Sequence, residues 1–195
     1  NALNSLCGIA ITLKFIPYRN DIMTNYKPKK DKSPEYIAYN MCNNTKHSVL
    51  CAEAVGSYES IGGDIKLSTL KNSSCFNGIV TNGAIRDINT VKEYGFNMYA
   101  SNISPKQGPS TQIPWSCNEA INLNNVSILP YDFIVGDITG CIVIPSIVAE
   151  KCIDIAILRE KIEDIIKLES KKNPNIPQEC YPFTTPIKDE SSIIA

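Results

Sequence analysis

The sequence predicts a single α/β domain, on three observations. A chain of 195 residues with 43% hydrophobic and 20% charged residues suits one globular core. Short apolar segments with partial alternation, typical of strands, are separated by segments that carry helix start and stop signals. The chain also shows no internal repeat and no convincing linker. One domain in which strands and helices alternate is therefore the expected architecture.

Each predicted element follows from a local pattern. Ser33 and Pro34 suit an N-cap and a first helical residue, and Gly95 suits a helix end. Residues 102–116 hold three prolines and little periodicity, which predicts a long loop. The predicted strands are 7–16, 47–55, 76–82, 96–100, 119–123, 127–129, 133–137 and 141–144. The predicted helices are 34–41, 64–72, 87–94 and 146–171, the last with a broad apolar stripe.

Charge and hydropathy exclude some function classes. Nineteen Lys and Arg against 20 Asp and Glu leave a formal net charge of −1, which argues against a strongly cationic nucleic-acid grip. No apolar run approaches the ~20 residues that span a bilayer, so a membrane protein is excluded. The N-terminus shows no signal-peptide pattern. We therefore expect a cytoplasmic protein. The polar segment 27–34 is predicted to be a solvated loop, with a basic docking loop as the alternative.

The eight cysteines are predicted to be reduced residues, several of them in the core. They contain no Cys-x-x-Cys pair, and some lie within apolar segments such as Gly140–Val143. A zinc site is not expected, because its Cys and His ligands would be clustered. The only histidine, His47, starts a predicted strand with no partner nearby.

The first chemical candidate is Gly62-Gly63-Asp64-Ile65-Lys66, where two glycines precede a helix. Helix N-termini present free N–H groups and the positive end of the helix dipole, which suit a carboxylate or phosphate. A simple strand-to-helix turn is the alternative. The spacing matches neither Gly-x-Gly-x-x-Gly nor a phosphate-loop motif, so nucleotide binding has no support.

The second candidate is Asn82-Gly83-Ala84-Ile85-Arg86-Asp87, between an apolar strand and a helix. Arg86 and Asp87 could form a helix cap with a surface salt bridge. They could equally be a carboxylate clamp beside a hard metal ligand, because guanidinium grips carboxylates bidentately and carboxylate oxygens suit Mg²⁺ or Mn²⁺.

A third segment, from Asp132 through Gly136-Asp137 to Gly140, is predicted to be a pair of strands with mostly architectural turns. A single histidine leaves no credible Ser/His/Asp arrangement, so serine-hydrolase chemistry is excluded. No Gly-rich loop follows the first strand, so a methyltransferase is not expected.

These blocks together resemble one family. Gly62-Gly63-Asp64, GIVTNGAIRD (78–87), EYGFNMYA (93–100), PKQGP (105–109) and PYDFIVGDITGCIVIP (130–145) match in order. The chain resembles the class II 4-hydroxy-4-methyl-2-oxoglutarate/4-carboxy-4-hydroxy-2-oxoadipate aldolases. That family also includes the regulator of ribonuclease activity A. The resemblance covers roughly residues 7–170. It implies one domain over residues 1–172, without the further N-terminal helical segment that full members usually carry. The four prolines within residues 173–195 separately predict an extended tail.

The resemblance implies a fold, an assembly and a reaction. The fold would be a three-layer β/β/α swivelling-type domain, assembled as a homotrimer or hexamer with sites between subunits. The reaction would release pyruvate from a small 2-oxo acid, with Mg²⁺ or Mn²⁺ as cofactor. Arg86 would clamp the substrate carboxylate, Asp87 would ligate the metal, and Asp64 would act on a metal-bound water. The amides of residues 63–66 would contact the substrate.

Some roles stay open at this point. Glu163 approximately matches an acid delivered from the neighbouring subunit. Alternatively, it is a helix-surface acid that pairs with Lys167. Lys66, where family members often have an apolar residue, keeps a Schiff-base alternative open. Asn82 also departs from the family, in which Asp is common. The competing function is a non-catalytic regulator that binds an RNA-processing enzyme.

Overall fold

The computed structural model describes residues 5–25, 32–45 and 47–172. The chain divides into two compact units, Asn1–Ile147 and Val148–Ala195, each described below by itself. The predicted extended tail and most of the predicted polar loop lie outside the described residues.

Within its described residues, the first unit contains ten strands and four α-helices. The strands are β1 (Leu6–Pro17), β2 (Ser48–Glu53), β3 (Ser60–Gly62), β4 (Phe76–Ile85), β5 (Asn97–Ile103), β6 (Gln112–Cys117), β7 (Ile121–Leu123), β8 (Val126–Ile128), β9 (Phe133–Asp137) and β10 (Gly140–Ile144). The helices are α1 (Asn20–Asn25), α2 (Pro34–Met41), α3 (Asp64–Asn72) and α4 (Ile88–Val91). Single 3₁₀ turns span Cys42–Asn44, Lys92–Tyr94, Gly108–Ser110 and Ser146–Val148.

Eight strands form one mixed sheet in the order β10-β9-β1-β2-β4-β3, with β5 paired to β4 and β6 paired to β1. Strands β1, β2, β4, β3 and β5 run parallel, whereas β6, β9 and β10 pair antiparallel. Strands β7 and β8 form a separate hairpin. Parallel strands end at one edge of a sheet, so β3 and β4 deliver the segments that follow them to the same place.

Both faces of the large sheet are covered. Leu50 and Ala52 of β2 point into a core shared with Ala38 of α2 and Leu67 of α3. The alternate residue Val49 points to the opposite face, where the β7–β8 hairpin packs. The period of two along β2 thus separates a helix-covered face from a strand-covered face. This arrangement agrees with the predicted β/β/α layering.

Two sequence predictions about strands were wrong: the end of β4 and the assignment of residues 102–116 to a loop. Strand β4 continues through Ile85 rather than ending at Asn82, with an irregularity in its pairing to β5 between Thr81 and Ala84. The predicted loop over 102–116 contains the end of β5, a 3₁₀ turn and all but the last residue of β6. Strand β6 pairs only with β1 among the described strands, and an edge strand accommodates Pro114.

The prediction that all cysteines are reduced was wrong for one pair. Cys42 and Cys75 form a disulfide with a Cα–Cα distance of 5.7 Å, which joins the turn after α2 to the start of β4. Their separation of 33 residues follows no recognisable motif, and only the packing of α2 beside β4 brings them together. Among the described residues, Cys7, Cys51, Cys117, Cys141 and Cys152 are free thiols.

The second unit contains the helix α5 (Ala149–Lys172). Its predicted range is confirmed, except that residues 146–148 form a 3₁₀ turn. Ion pairs three or four residues apart line its surface, such as Lys172 with Glu169. None of the described helices is long and apolar enough to cross a membrane.

Candidate functional site

Two of the sequence candidates meet at one edge of the sheet. Strand β3 ends at Gly62, which pairs in register with Ile85, the last residue of β4. The backbone N–H of Arg86 donates to the carbonyl oxygen of Gly62 at 3.1 Å, which fixes the two chain segments side by side. The glycine pair and the Arg-Asp pair, 23 residues apart in sequence, therefore form one structure.

Asp87 lies at the centre of this structure. Its Oδ2 accepts a hydrogen bond of 3.0 Å from the backbone N–H of Asp64 and lies 3.5 Å from Nε of Arg86. The residue has φ +59°, a left-handed conformation that Asp tolerates better than most side chains. Among the described residues, Oδ1 of Asp87 has no hydrogen-bond partner. The turn thus leaves one carboxylate oxygen free beside a guanidinium.

The absence of a side chain at Gly63 makes this approach possible. A Cβ at this position would lie 2.3 Å from Oδ2 of Asp87 and 2.6 Å from Nε of Arg86, far inside van der Waals contact. The backbone of Gly63 has φ −138°, which any residue can adopt. Space, rather than conformational freedom, therefore requires glycine here.

Asp64, the first residue of α3, faces the same opening. Its Oδ1 accepts a hydrogen bond from the hydroxyl of Tyr94, a residue that the sequence analysis did not single out. This hydrogen bond, with smaller contributions from burial and from Asp64, Glu93 and Asp87, raises the pKa of Tyr94. Tyr94 therefore remains a hydrogen-bond donor through the neutral range and restrains the carboxylate of Asp64.

All of the predicted site residues except Glu163 line two adjoining cavities that share Lys66 and Arg86. We call the first, of about 580 Å³, the outer cavity; it is lined by Asp64, Ile65, Lys66, Arg86, Asp87, Ile88, Asn89 and Thr90. The second, of about 300 Å³, is the inner cavity; it includes Phe15, Glu35, Gly63, Lys66, Arg86 and Ile113. A larger space of about 860 Å³ along β5 contains neither Arg86 nor any of the other predicted site residues. The candidate reactive residues of the first unit therefore lie in the two smaller cavities.

Lys66 occupies the inner cavity as half of an ion pair. Its Nζ donates to Oε1 of Glu35 and, at 2.5 Å, to the carbonyl oxygen of Ile61. The side chain of Lys66 is 19% exposed and that of Glu35 is 30% exposed, so the pair is largely withdrawn from solvent. The sequence analysis missed Glu35, because it lies 31 residues away on another helix and follows only an ordinary helix-start signal.

Tyr39, one turn further along α2, adds a second hydrogen bond to Oε1 of Glu35 at 2.8 Å. Burial works to raise the pKa of Glu35, but the positive charge and hydrogen bond of Lys66 and the Tyr39 hydroxyl outweigh it, and the pKa falls below its usual range. Glu35 is therefore an ionised carboxylate at neutral pH, and its charge balances that of Lys66.

Comparison with known proteins decides the family. The family model described as RraA-like, Aldolase/RraA, matches residues 1–143. The chain belongs to this family. The structure of Streptomyces coelicolor RraAS2, described as an unusual member of the RNase ES inhibitor RraA protein family, is 27% identical with a TM-score of 0.73. The match covers 85% of this chain and 78% of that one.

Two curated relatives are longer than this chain. An uncharacterized protein of Methanocaldococcus jannaschii is 32% identical over 102 residues, which are 51% of this chain and 48% of that protein. Protein DlpA of Legionella pneumophila is 24% identical over 181 residues, which are 90% of this chain and 28% of DlpA. The chain thus spans about half or less of the length of these relatives.

Glu163, the remaining predicted site residue, lies on α5 in the second unit. Its Oε1 accepts a hydrogen bond of 3.2 Å from Nε of Arg159, one turn earlier. The predicted alternative pairing with Lys167 was wrong, because Lys167 pairs with Asp164 at 3.0 Å. An Arg four residues before a Glu satisfies the same spacing rule, and the sequence offered both partners.

The donor chemistry of the outer cavity fits the divalent metal that the family resemblance implies. No group of three His, Cys, Asp or Glu residues suited to a metal occurs among the described residues. However, Mg²⁺ commonly keeps several waters and binds through one or two carboxylates. The free Oδ1 of Asp87, whose side chain is 45% exposed, and the neighbouring Asp64 suit such a hydrated ion.

Proposed function

We propose that this protein is a metal-dependent lyase that cleaves 4-hydroxy-2-oxo acids to pyruvate and also decarboxylates oxaloacetate. One observation carries the proposal: Arg86, Asp87 and Asp64 converge on one open cavity, with a free carboxylate oxygen beside a guanidinium. A protein that only binds another protein has no need of this constellation. Membership in a family that includes aldolases supports the proposal.

Arg86 is assigned to the carboxylate of the substrate. Its Nε faces Asp87, and among the described residues no hydrogen bond uses its two terminal nitrogens. Those nitrogens offer the planar pair of donors that a carboxylate accepts bidentately. The free amides of the first turn of α3, at Ile65 and Lys66, adjoin this position and supply further donors. Clamped in this way, a 2-oxo acid has a fixed orientation for bond cleavage.

The reaction breaks the bond between C3 and C4 of the substrate. The C4 hydroxyl loses its proton and becomes a carbonyl, while the electron pair of the broken bond forms the enolate of pyruvate, which then gains a proton at C3. Asp87 would hold the divalent ion, which would supply Lewis-acid stabilisation of the developing negative charge. Asp64, held in place by Tyr94, is assigned to carry the proton between these positions, through water.

The same constellation serves oxaloacetate, because loss of CO₂ also leaves the enolate of pyruvate. The proposal is tested by a pyruvate-release assay on oxaloacetate and on a panel of 4-hydroxy-2-oxo acids. We expect release that disappears with EDTA and returns with Mg²⁺ or Mn²⁺. Release that survives thorough chelation would contradict the metal-dependent mechanism, and borohydride trapping would then test Lys66 as a Schiff-base residue.

We further propose a homotrimer or hexamer in which Glu163 of one subunit completes the site of the next. Among the described residues, Glu163 forms an ion pair with Arg159 alone, and such an exposed pair contributes little free energy that would oppose its rearrangement. Inactive Asp87→Ala and Glu163→Ala proteins, unfolded together and refolded, should regain part of the activity in mixed oligomers. No recovery in mixed oligomers verified by native mass spectrometry would place the site within one subunit.

The second candidate function is a non-catalytic regulator of an RNA-processing enzyme. The observation in its favour is the similarity to Streptomyces coelicolor RraAS2, which belongs to an RNase-inhibitor family. The assay above separates the two functions. A protein that releases no pyruvate from any substrate, yet inhibits an RNase E-type nuclease, would be a regulator.

A further inference from the structure

The inner cavity carries an ion pair that the proposed lyase reaction does not use. The cavity adjoins the outer one at Lys66 and Arg86, so it offers space for the far end of a substrate that Arg86 clamps. The side chains of Lys66 and Arg86 pack against two consecutive glycines, Gly62 and Gly63. A Cβ at Gly62 would lie 3.0 Å from Cδ of Lys66, and one at Gly63 would lie 2.6 Å from Nε of Arg86.

The charge of Lys66 is already neutralised. Its ammonium lies 5.6 Å from the ring centroid of Phe15 and 5.9 Å from that of Tyr39, and it donates to both Glu35 and Ile61. Once Arg86 holds the first carboxylate of the substrate, a second carboxylate would find no uncompensated cation among the described residues that line this cavity. It would instead face the carboxylate of Glu35, and juxtaposed like charges oppose binding.

The polar groups of the cavity still have capacity for one neutral group. An ammonium has three donors, and two of those on Lys66 have partners among the described residues. Both described hydrogen bonds to Glu35 use Oε1, so within the described part of the chain Oε2 is free. One donor beside one acceptor is the complement of a hydroxyl group, which both donates and accepts.

The remaining lining of the cavity limits the size of the group. Four of the lining residues are apolar: Phe15, Ile61, Ile113 and Pro114. Gln112 is buried, and its side-chain amide already accepts from the N–H of Val55 and donates to the carbonyl oxygen of Ser60. A volume of about 300 Å³ equals roughly ten waters at ~30 Å³ each, enough for a short hydroxylated carbon tail.

We propose that the inner cavity selects the far end of the substrate, and that the Lys66–Glu35 pair binds a hydroxyl there and rejects a second carboxylate. The preferred substrates are then sugar-acid-like 4-hydroxy-2-oxo acids with neutral hydroxylated tails. This inference rests on the proposed lyase function and names the substrate class of the same site. Oxaloacetate is too short to fill the inner cavity and serves as the substrate that reports on the basic reaction.

The test measures kcat/KM for 2-oxo-3-deoxygluconate and for its C4 epimer, 2-oxo-3-deoxygalactonate. Both values are compared with kcat/KM for 4-hydroxy-2-oxoglutarate. We expect the wild-type protein to favour the better epimer of the hydroxylated substrate by at least ~10-fold. Glu35→Gln leaves Lys66 with an uncompensated charge, so the ratio should shift by at least ~10-fold toward the dicarboxylate. A wild-type preference for 4-hydroxy-2-oxoglutarate would overturn the inference.

Glu53→Gln is the matched control. Glu53 also pairs with a lysine, Lys14 at 3.3 Å, and accepts a further hydrogen bond from the backbone of Asn122, but it lines neither cavity. Its substitution should leave the substrate ratio unchanged. Equal shifts in Glu35→Gln and Glu53→Gln would overturn the inference, because the effect would then be general.

Lys66→Met provides a second variant if Glu35→Gln fails to fold. It removes the donor and leaves the charge of Glu35, so activity on 2-oxo-3-deoxygluconate should fall at least ~10-fold with no gain on 4-hydroxy-2-oxoglutarate. A gain on the dicarboxylate would overturn the inference. If every variant releases pyruvate from oxaloacetate but keeps the wild-type ratio of kcat/KM between the hydroxylated substrate and the dicarboxylate, the inference is contradicted and the proposed lyase function is not. No release from any substrate contradicts the proposed function itself.

Discussion

Two regions of the first unit combine aspartates, glycines and strand ends, and they use their carboxylates differently. In the turns around β9 and β10, Asp132 accepts hydrogen bonds from the backbone N–H groups of Leu129 at 2.9 Å and Ser146 at 3.3 Å. Asp137 likewise accepts from both the backbone and the hydroxyl of Thr139. At the ends of β3 and β4, Asp87 keeps one oxygen free beside Arg86.

This difference shows what separates an architectural carboxylate from a reactive one. Asp132 is 5% exposed and both of its oxygens accept backbone hydrogen bonds, so the carboxylate stabilises the local chain conformation. Asp87 is half-exposed, has an unengaged oxygen and has a cation at 3.5 Å. Residue type and proximity to glycine are common to both regions. What distinguishes Asp87 from both Asp132 and Asp137 is an unengaged oxygen with a guanidinium beside it.

The largest expected effect is that of Asp87→Asn. Asn tolerates the left-handed backbone and can still accept from the N–H of Asp64, so the fold should survive. The charge for the metal is lost, and pyruvate release should fall on the order of 10³-fold or more, equivalent to ~4 kcal/mol. Steady-state kinetics with saturating Mg²⁺ measure the loss of pyruvate release, and a thermal melt measures whether the fold survives. Near-normal turnover would show that Asp87 is as architectural as Asp132.

Gly63→Ala should act on the same site through space alone. The new methyl group collides with Asp87 and Arg86, whose displacement should cost about 10²-fold in kcat/KM while Tm changes little, because the backbone at Gly63 is ordinary. Gly56→Ala is the control, since its Cβ would meet only Cγ of Glu59, at 3.8 Å. Equal activities of the two variants would mean that the cavity adapts freely.

Asp132→Ala should show the opposite profile. Two backbone N–H groups lose their acceptor, so the free energy of unfolding should fall by about 2 kcal/mol, with kcat/KM of the folded protein unchanged. Chemical denaturation measures the first quantity and the pyruvate assay the second. A loss of activity at full stability would place Asp132 in the reaction and erase the contrast between the two regions.

The sequence predicted these two regions unequally well. In the β9–β10 turns, the hydrogen bonds of Leu129 to Asp132 and of Thr139 to Asp137 join residues two or three positions apart, and turn chemistry makes such contacts predictable from sequence. Only the bond from Ser146 to Asp132 spans a longer stretch of these turns. The site required β3, a strand of three residues that carries no periodic signal, to place Gly62 beside Ile85. The family resemblance identified Arg86, Asp87 and Asp64, whereas local patterns left their pairing open.

The errors have physical causes of the same kind. Asn82-Gly83 looks like a turn, yet β4 continues through it because the Asn82 side chain bonds both the N–H and the carbonyl of Ala54. A Cβ at Gly83 would lie 2.6 Å from Cβ of Ala54, so glycine serves close packing within the strand. Contacts between distant segments, such as Glu35 with Lys66, leave no trace in the local pattern.

The smallest expected effect concerns the cation that distinguishes the two regions. Among the described residues, no lysine or arginine forms an ion pair with Asp132 or Asp137, whereas Arg86 adjoins Asp87. Arg86→Lys keeps the charge and removes the planar fork, so kcat/KM should fall at least ~10-fold, or ~1.4 kcal/mol. Arg19→Lys is the matched control, because Nε of Arg19 also faces an aspartate, Asp21 at 3.0 Å, but on the exposed surface. That change should alter kcat/KM less than twofold. If the two variants behave alike, Arg86 contributes charge or structure only, and the carboxylate clamp must be assigned to the amides of α3.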